Sequence, residues 1–173
     1  MRIIVFSDTH NNFSVMKDIF EKNQDVSVFI FLGDGERELI QIRKLYPNKQ
    51  ILSVKGNCDL LNDSPLIGTY SYKNIKIIYT HGHRYNAKYS TDNLYYLAKE
   101  NNAHIVCFGH THCRYYDYTD GVHMLNPGSA SQPRDMKPPC YAFIDITDSG
   151  IICSHVDLGK VPKKEDYFNF NTF

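Results

Sequence analysis

The sequence predicts an α/β fold in which two mixed β-sheets stack face to face with helices on their outer sides. Three observations lead there. Over residues 1–54, short β-branched and aromatic runs alternate with stretches whose apolar residues recur at helical spacing, the pattern of parallel strands joined by helices. From residue 66 onward strand-like runs dominate, separated by turn residues. Clusters of Asp, Asn and His also fall just past the ends of apolar runs, where the carboxyl ends of strands form the binding crevice of an open α/β sheet.

Taken in order, RIIVF (2–6) reads as a buried strand, and Phe13, Met16, Ile19 and Phe20 follow it at helical spacing. VSVFIFL (26–32) is a second strand, Leu39, Ile42, Leu45 and Tyr46 mark a second helix, and QILSV (50–54) is a third strand. LIGTYSYKNIKIIYT (66–80) holds two strand-like runs broken at Lys73-Asn74, a hairpin signature. A third helix is expected over 91–100, followed by a strand in HIVCFG (104–109). RYYDYT, HMLN, YAFIDIT and IICSHVDL are short strands divided by Asp120-Gly121 and Ser149-Gly150, a spacing that predicts antiparallel pairing. The segment 159–173, GKVPKKEDYFNFNTF, loses both periodicities and reads as an extended surface tail. With no repeat, low-complexity tract or linker, residues 1–173 read as a single domain.

The bulk numbers narrow the function classes. Lys+Arg and Asp+Glu are both 19, so no net charge favours an extended nucleic-acid track or a membrane surface. The opening MRIIVFSD is too short for a signal-peptide core, and no apolar run nears the ~20 residues needed to span a bilayer. The five cysteines form no CxxC pair and sit mostly inside apolar stretches, as reduced thiols do. A cytoplasmic location is expected.

The chemistry concentrates in SDTH (7–10), GDGE (33–36), GNCD (56–59), THGH (80–83) and GHTH (109–112). Each cluster alone has a structural explanation. Asp8 could cap the helix that follows it, and Gly33-Asp34 and Gly56-Asn57 are common turn pairs. Jointly they place Asp, His, Asp, Asn and three further histidines at successive strand ends, mostly beside glycine, which lets the backbone approach a bound ion closely. Such a set of carboxylates, an amide and imidazoles, with no required thiolate, suits Mn, Fe, Zn, Co or Ni better than Ca or Mg. No GxSxG elbow and no GxxxxGK[ST] phosphate loop offers a competing mechanism.

The ordered set DxH, GD, GN, HG and GHTH, followed by NPGS (126–129), resembles the calcineurin-like metallophosphoesterase superfamily, and GNCD in so short a chain is similar to its small YfcE-type phosphodiesterase branch. The resemblance runs from Arg2 to about Leu158. It implies a four-layer α/β/β/α sandwich, the metallophosphoesterase fold. It implies one metal ion held by Asp8, His10, Asp34 and His112, and a second held by the shared Asp34 with Asn57, His81 and His110. Two divalent transition-metal ions are expected, Mn2+ first among them, with Ni2+, Fe, Co2+ and Zn2+ as the others. The implied reaction is hydrolysis of a small phosphodiester by a metal-bridging hydroxide, with Asp34, Asn57 and His81 at the reacting centre.

The sequence departs from the superfamily pattern at Cys58, where many members carry a histidine proposed to protonate the leaving oxygen. A thiol is a poorer acid near neutral pH than imidazolium, so that role is not carried over; Cys58 and Asp59 are placed near the leaving group only. His83 is assigned to substrate, or to orienting a ligand, and Arg134 to the substrate phosphate, with Asn57 as a further substrate contact. The alternatives to a phosphodiesterase are a nucleotide phosphatase or nuclease and, from another class, a protein-interaction scaffold like the retromer subunit of similar fold. In that subunit the GD and GN positions are described as eroded, whereas Asp34 and Asn57 are intact here. A homodimer or higher homo-oligomer is expected by the same resemblance.

Overall fold

The computed structural model describes residues 1–60 and 63–160. Strand β1 (Arg2–Phe6) is followed by α1 (Phe13–Lys22), β2 (Val28–Phe31), α2 (Glu36–Leu45) and β3 (Gln50–Ser53). Then come β4 (Ile67–Tyr72), β5 (Ile75–Thr80), α3 (Asp92–Glu100), β6 (Ile105–Cys107), β7 (Arg114–Thr119), β8 (Val122–Pro127), β9 (Cys140–Thr147) and β10 (Gly150–Asp157). Two five-stranded sheets result, ordered β10-β9-β1-β2-β3 and β4-β5-β6-β8-β7.

Alternation along β1 explains the layering. Ile3 and Val5 pack with Val28, Ile30 and Leu32 against Ile77, Ile105, Cys107 and Leu125 of the other sheet, forming the core between the sheets. Ile4 and Phe6 point the other way, onto Met16, Ile19 and Phe20 of α1 and Leu39 and Ile42 of α2. On the far side Ile78, Val106 and Phe108 bury against Leu94, Leu97 and Ala98 of α3. The four layers are therefore helix pair, sheet, sheet, helix, as the sequence led one to expect.

The pairing differs from expectation in one respect. The hairpins β4–β5, β7–β8 and β9–β10 are antiparallel, but β8 also runs parallel to β6, and β9 leaves the second sheet to pair antiparallel with β1 in the first. Apolar alternation records which face a residue takes but carries no record of which sheet a strand joins. Of the expected tail 159–173, residues 161–173 lie outside the described residues. Among the described residues no helix is long and apolar enough to cross a membrane.

Candidate metal centre

The parallel strands β1, β2 and β3 end together, and the loops beyond them are tied by backbone bonds. The Asp8 N–H donates to the Gly33 carbonyl and the His10 N–H to the Asp34 carbonyl, both at 3.0 Å. At Gly56 a Cβ would overlap Asp34 Oδ1, so glycine is what allows the third loop to close on the carboxylate.

Two groups of donor atoms converge there. On one side Asp8 Oδ1 lies 3.3 Å from His112 Nε2 and 3.9 Å from His10 Nε2, and the two Nε2 atoms are 3.1 Å apart. On the other side Asp34 Oδ2 lies 3.4 Å from His81 Nε2, which is itself 3.1 Å from Asn57 Oδ1. Asp34 Oδ2 also lies 3.9 Å from His10 Nε2, so this carboxylate stands between the groups. The ring of His110 lies beside that of His81, at 5.2 Å between centroids. The clusters Asp8/His10/His112, Asp8/Asp34/His81 and His10/Asp34/Cys58 each bring their donor atoms within 4.8 Å of one another.

The surrounding residues fix the direction of these donors. His81 Nδ1–H donates to the Leu32 carbonyl at 2.7 Å and His112 Nδ1–H to the Gln132 carbonyl at 2.7 Å, which leaves both Nε2 atoms facing inward. Asp8 is fully buried; its Oδ2 accepts the His110 N–H at 3.1 Å, while its Oδ1 has no hydrogen-bond partner. A buried carboxylate oxygen without a donor is costly unless a cation meets it, so this arrangement fits a metal ion. NPGS, which starts on the last residues of β8, supports the site with side chains. The Asn126 amide donates to the Gly109 carbonyl and Thr111 Oγ1, and the Ser129 hydroxyl donates to the Asp8 carbonyl.

Five of the expected ligands, Asp8, His10, Asp34, His110 and His112, have positive φ, between 44° and 69°. That region is uncommon for residues with a side chain and clusters at functional sites. β6 ends at Cys107, so His110 and His112 lie beyond the strand, each at a left-handed backbone position.

Electrostatics follow the geometry. Burial works against a negative Asp34, but the hydrogen bond and charge of His81 and the Cys58 N–H outweigh it and hold the carboxyl below its usual range. Burial likewise opposes a proton on His81, and Asp34 and Asp8 overcome it, raising its pKa. For His110, burial first, then the neighbouring His81, outweigh the Asp8 charge and lower the pKa to about 4. Burial and Asp34 push the Cys58 thiol up to about 11.

The remaining sequence-predicted residues fall in different places. Cys58 is exposed beside Asp34, its N–H donating to Asp34 Oδ1 at 2.8 Å. Asp59 lines two cavities beside the cluster, and its carboxylate is turned onto backbone donors. It is buried, and its carboxylate accepts the N–H groups of Asp34, Gly35, Glu36 and Gly56 at 2.8–3.0 Å, bracing two loops and capping α2. His83 lies 5.3 Å from the His81 ring and 6.1 Å from the His110 ring, in a short 3₁₀ turn His83–Tyr85 that periodicity did not reveal. Arg134 supports the site through its backbone, donating its N–H to the His112 carbonyl at 2.9 Å, while its side chain is exposed. Two residues missed by the sequence, Lys55 and Arg84, line a cavity with Asn57 and His83. Adjacency in sequence was the only available signal, since Lys55 precedes Gly56-Asn57 and Arg84 follows His83.

Comparison with known proteins places the fold and the family. The probable metallophosphoesterase YsnB of Bacillus subtilis is 33% identical over 150 residues, 84% of this chain and 85% of that protein. The crystal structure of a predicted phosphoesterase from Streptococcus pneumoniae superposes with a TM-score of 0.80 at 31% identity, covering 90% of this chain and 88% of the other. The phosphoesterase YfcE of Escherichia coli shares the fold, with a TM-score of 0.69 at 20% identity over 92% of this chain and all of the other. Residues 1–149 match the calcineurin-like phosphoesterase superfamily domain, and the chain therefore belongs to that superfamily.

Proposed function

We propose that this member of the metallophosphoesterase superfamily is a phosphodiesterase that holds two divalent cations, Mn2+ foremost. Asp8, His10, Asp34 and His112 surround one; Asp34, Asn57, His81 and His110 surround the other. The observation that carries this reading is the position of Asp34, whose Oδ2 lies 3.4 Å from His81 Nε2 and 3.9 Å from His10 Nε2. Divalent cations at such a site act as Lewis acids toward phosphoryl oxygens and bring the pKa of a bound water toward neutrality. The chain's own residues supply the rest. The Leu32 and Gln132 carbonyls lock the His81 and His112 rings, and Asp59 holds the Asp34 and Gly56 loops together. The high pKa of the Cys58 thiol makes it a reluctant proton donor, which favours diesters whose leaving group departs with little help.

The test is metal analysis of the purified protein, with hydrolysis of an activated phosphodiester and of a monoester in the presence of Mn2+. Diester turnover should exceed monoester turnover. Asp34→Asn should lower metal affinity and diester kcat/KM by about 100-fold or more, since even residues that only support ligands contribute about 10- to 100-fold. Bound metal with no turnover of either ester would leave the scaffold reading standing, and full activity in Asp34→Asn would remove the shared-ligand assignment.

A further inference from the structure

The two cavities flanking the ligand cluster differ in charge. The first, about 310 Å³, opens on the His10, Asp34 and Cys58 side and is walled by Glu36, Arg37 and Glu38. The second, about 450 Å³, opens on the Asn57 and His83 side and contains Lys55 and Arg84. Its one acid, Asp59, already accepts four backbone N–H groups. Arg84 makes no ion pair with a carboxylate among the described residues, and with His83 it also lines an adjoining pocket of about 160 Å³.

The two cations are held in place by their backbones. Arg84 sits in the turn His83–Tyr85, which starts from Gly82 at φ 101°, and Tyr85 N–H closes it onto the Gly82 carbonyl at 3.0 Å. A Cβ on Gly82 would stand 3.2 Å from Ala87 Cβ, so both φ and space favour glycine at the start of this turn. Lys55 is pinned by its N–H to the Pro65 carbonyl at 2.9 Å, and its ammonium, which keeps its charge there, donates to the Leu60 carbonyl at 3.5 Å. Between them, His83 Nδ1 is buried without a hydrogen-bond partner.

Building on the phosphodiesterase reading of the adjoining cluster, we propose that the cavity between Lys55, His83 and Arg84 is an anion subsite that receives a second phosphate carried on one arm of the substrate. The substrate class is then a phosphodiester with a further phosphate on one side. The acidic wall of the opposite cavity disfavours that group there, so the diester binds in one direction. Arg84 offers a planar fork of donors suited to phosphate oxygens, and Lys55 adds a compact charge.

The subsite can be tested by binding, independently of turnover. Thymidine 3′,5′-bisphosphate and thymidine 5′-monophosphate are titrated calorimetrically into the Mn2+-loaded protein. The bisphosphate should bind about tenfold tighter or more, as one or two charge-assisted contacts produce. Arg84→Gln and Lys55→Gln should each remove most of that advantage with monophosphate affinity unchanged, and Arg84→Lys should restore part of it. Equal affinities in the parent protein, or a variant that weakens both ligands alike, would overturn the subsite, as would failure of both nucleotides to bind. In parallel, the p-nitrophenyl ester of thymidine 5′-phosphate is assayed with and without a 3′-phosphate. No hydrolysis of either ester, with the bisphosphate preference intact, would refute the phosphodiesterase reading and leave the subsite.

Discussion

Cys58 shows how one atom type can limit a site. It occupies the position after Gly-Asn, exposed, with its thiol facing Asp34 and Asp59. Burial first, then the Asp34 charge and hydrogen bond, raise its pKa to about 11. The sign is simple: a raised thiol pKa means less thiolate at every pH below it, and thiolate is the reactive form. With metal removed by a chelator, Cys58 should therefore be alkylated by iodoacetamide at pH 7.5 at least about tenfold more slowly than a free cysteine of pKa ≈ 8.5. Its rate should keep rising with pH beyond the plateau of the free amino acid. Quantitative labelling read by mass spectrometry decides this, and a rate equal to that of free cysteine would contradict the environment described. The residue identities at the site were legible in sequence because DxH, GD, GN, HG and GHTH each keep their donors beside a turn. The role of Asp59 was not legible. Nothing in GNCD distinguishes a carboxylate that faces substrate from one that turns back onto four backbone N–H groups, since that choice depends on where α2 begins.

At the scale of elements, α2 is the piece whose start is set from outside. Its first residues offer Glu36 and Glu38 to the helix dipole, but Gly35 at the cap makes no side-chain cap bond. Asp59, from the loop after β3, supplies the carboxylate instead, bonding the Gly35 and Glu36 N–H groups with Oδ1 and the Asp34 and Gly56 N–H groups with Oδ2. Asp59→Ala strands four buried donors at once, and hydrogen bonds to a charged acceptor are the strong ones. We expect a loss of about 3 kcal/mol or more in urea unfolding, accompanied by weaker metal binding because Asp34 moves with its loop. A variant within about 1 kcal/mol of the parent would show the brace to be dispensable. The helices were legible from periodicity because their apolar faces are one-sided, and the central strands were legible as short β-branched and aromatic runs buried on both faces. The turn His83–Tyr85 was not, being too short to show a period, and it carries Arg84.

At the scale of the whole molecule, the two sheets are joined along their β10 and β8/β7 edges by polar contacts beyond the shared core. The His155 Nε2–H of β10 donates to the Asn126 carbonyl of β8 at 2.8 Å, and Arg114 of β7 meets Asp157 of β10 at 2.8 Å. Burial lowers the His155 pKa from 6.5, outweighing the Asn126 bond that raises it. With the folded value depressed, the unfolded chain binds more protons just below 6.5, so this residue's contribution is present above that pH and is lost as pH falls toward the folded value. His155→Gln keeps a donor and removes the titration. Its unfolding free energy should fall less steeply than the parent's between about pH 6.5 and 5, checked by urea denaturation at several pH values. An identical slope would place the acid sensitivity elsewhere. The left-handed backbone of the candidate ligands has a consequence at this scale as well. Positions at positive φ are those where glycine or asparagine is best tolerated, so a selection that rewards thermal stability alone would drift toward replacing Asp8, His10, Asp34, His110 and His112. A lineage released from catalysis could keep this architecture while shedding its donors one after another, and a stabilised descendant with glycines at those turns would record the activity it had given up.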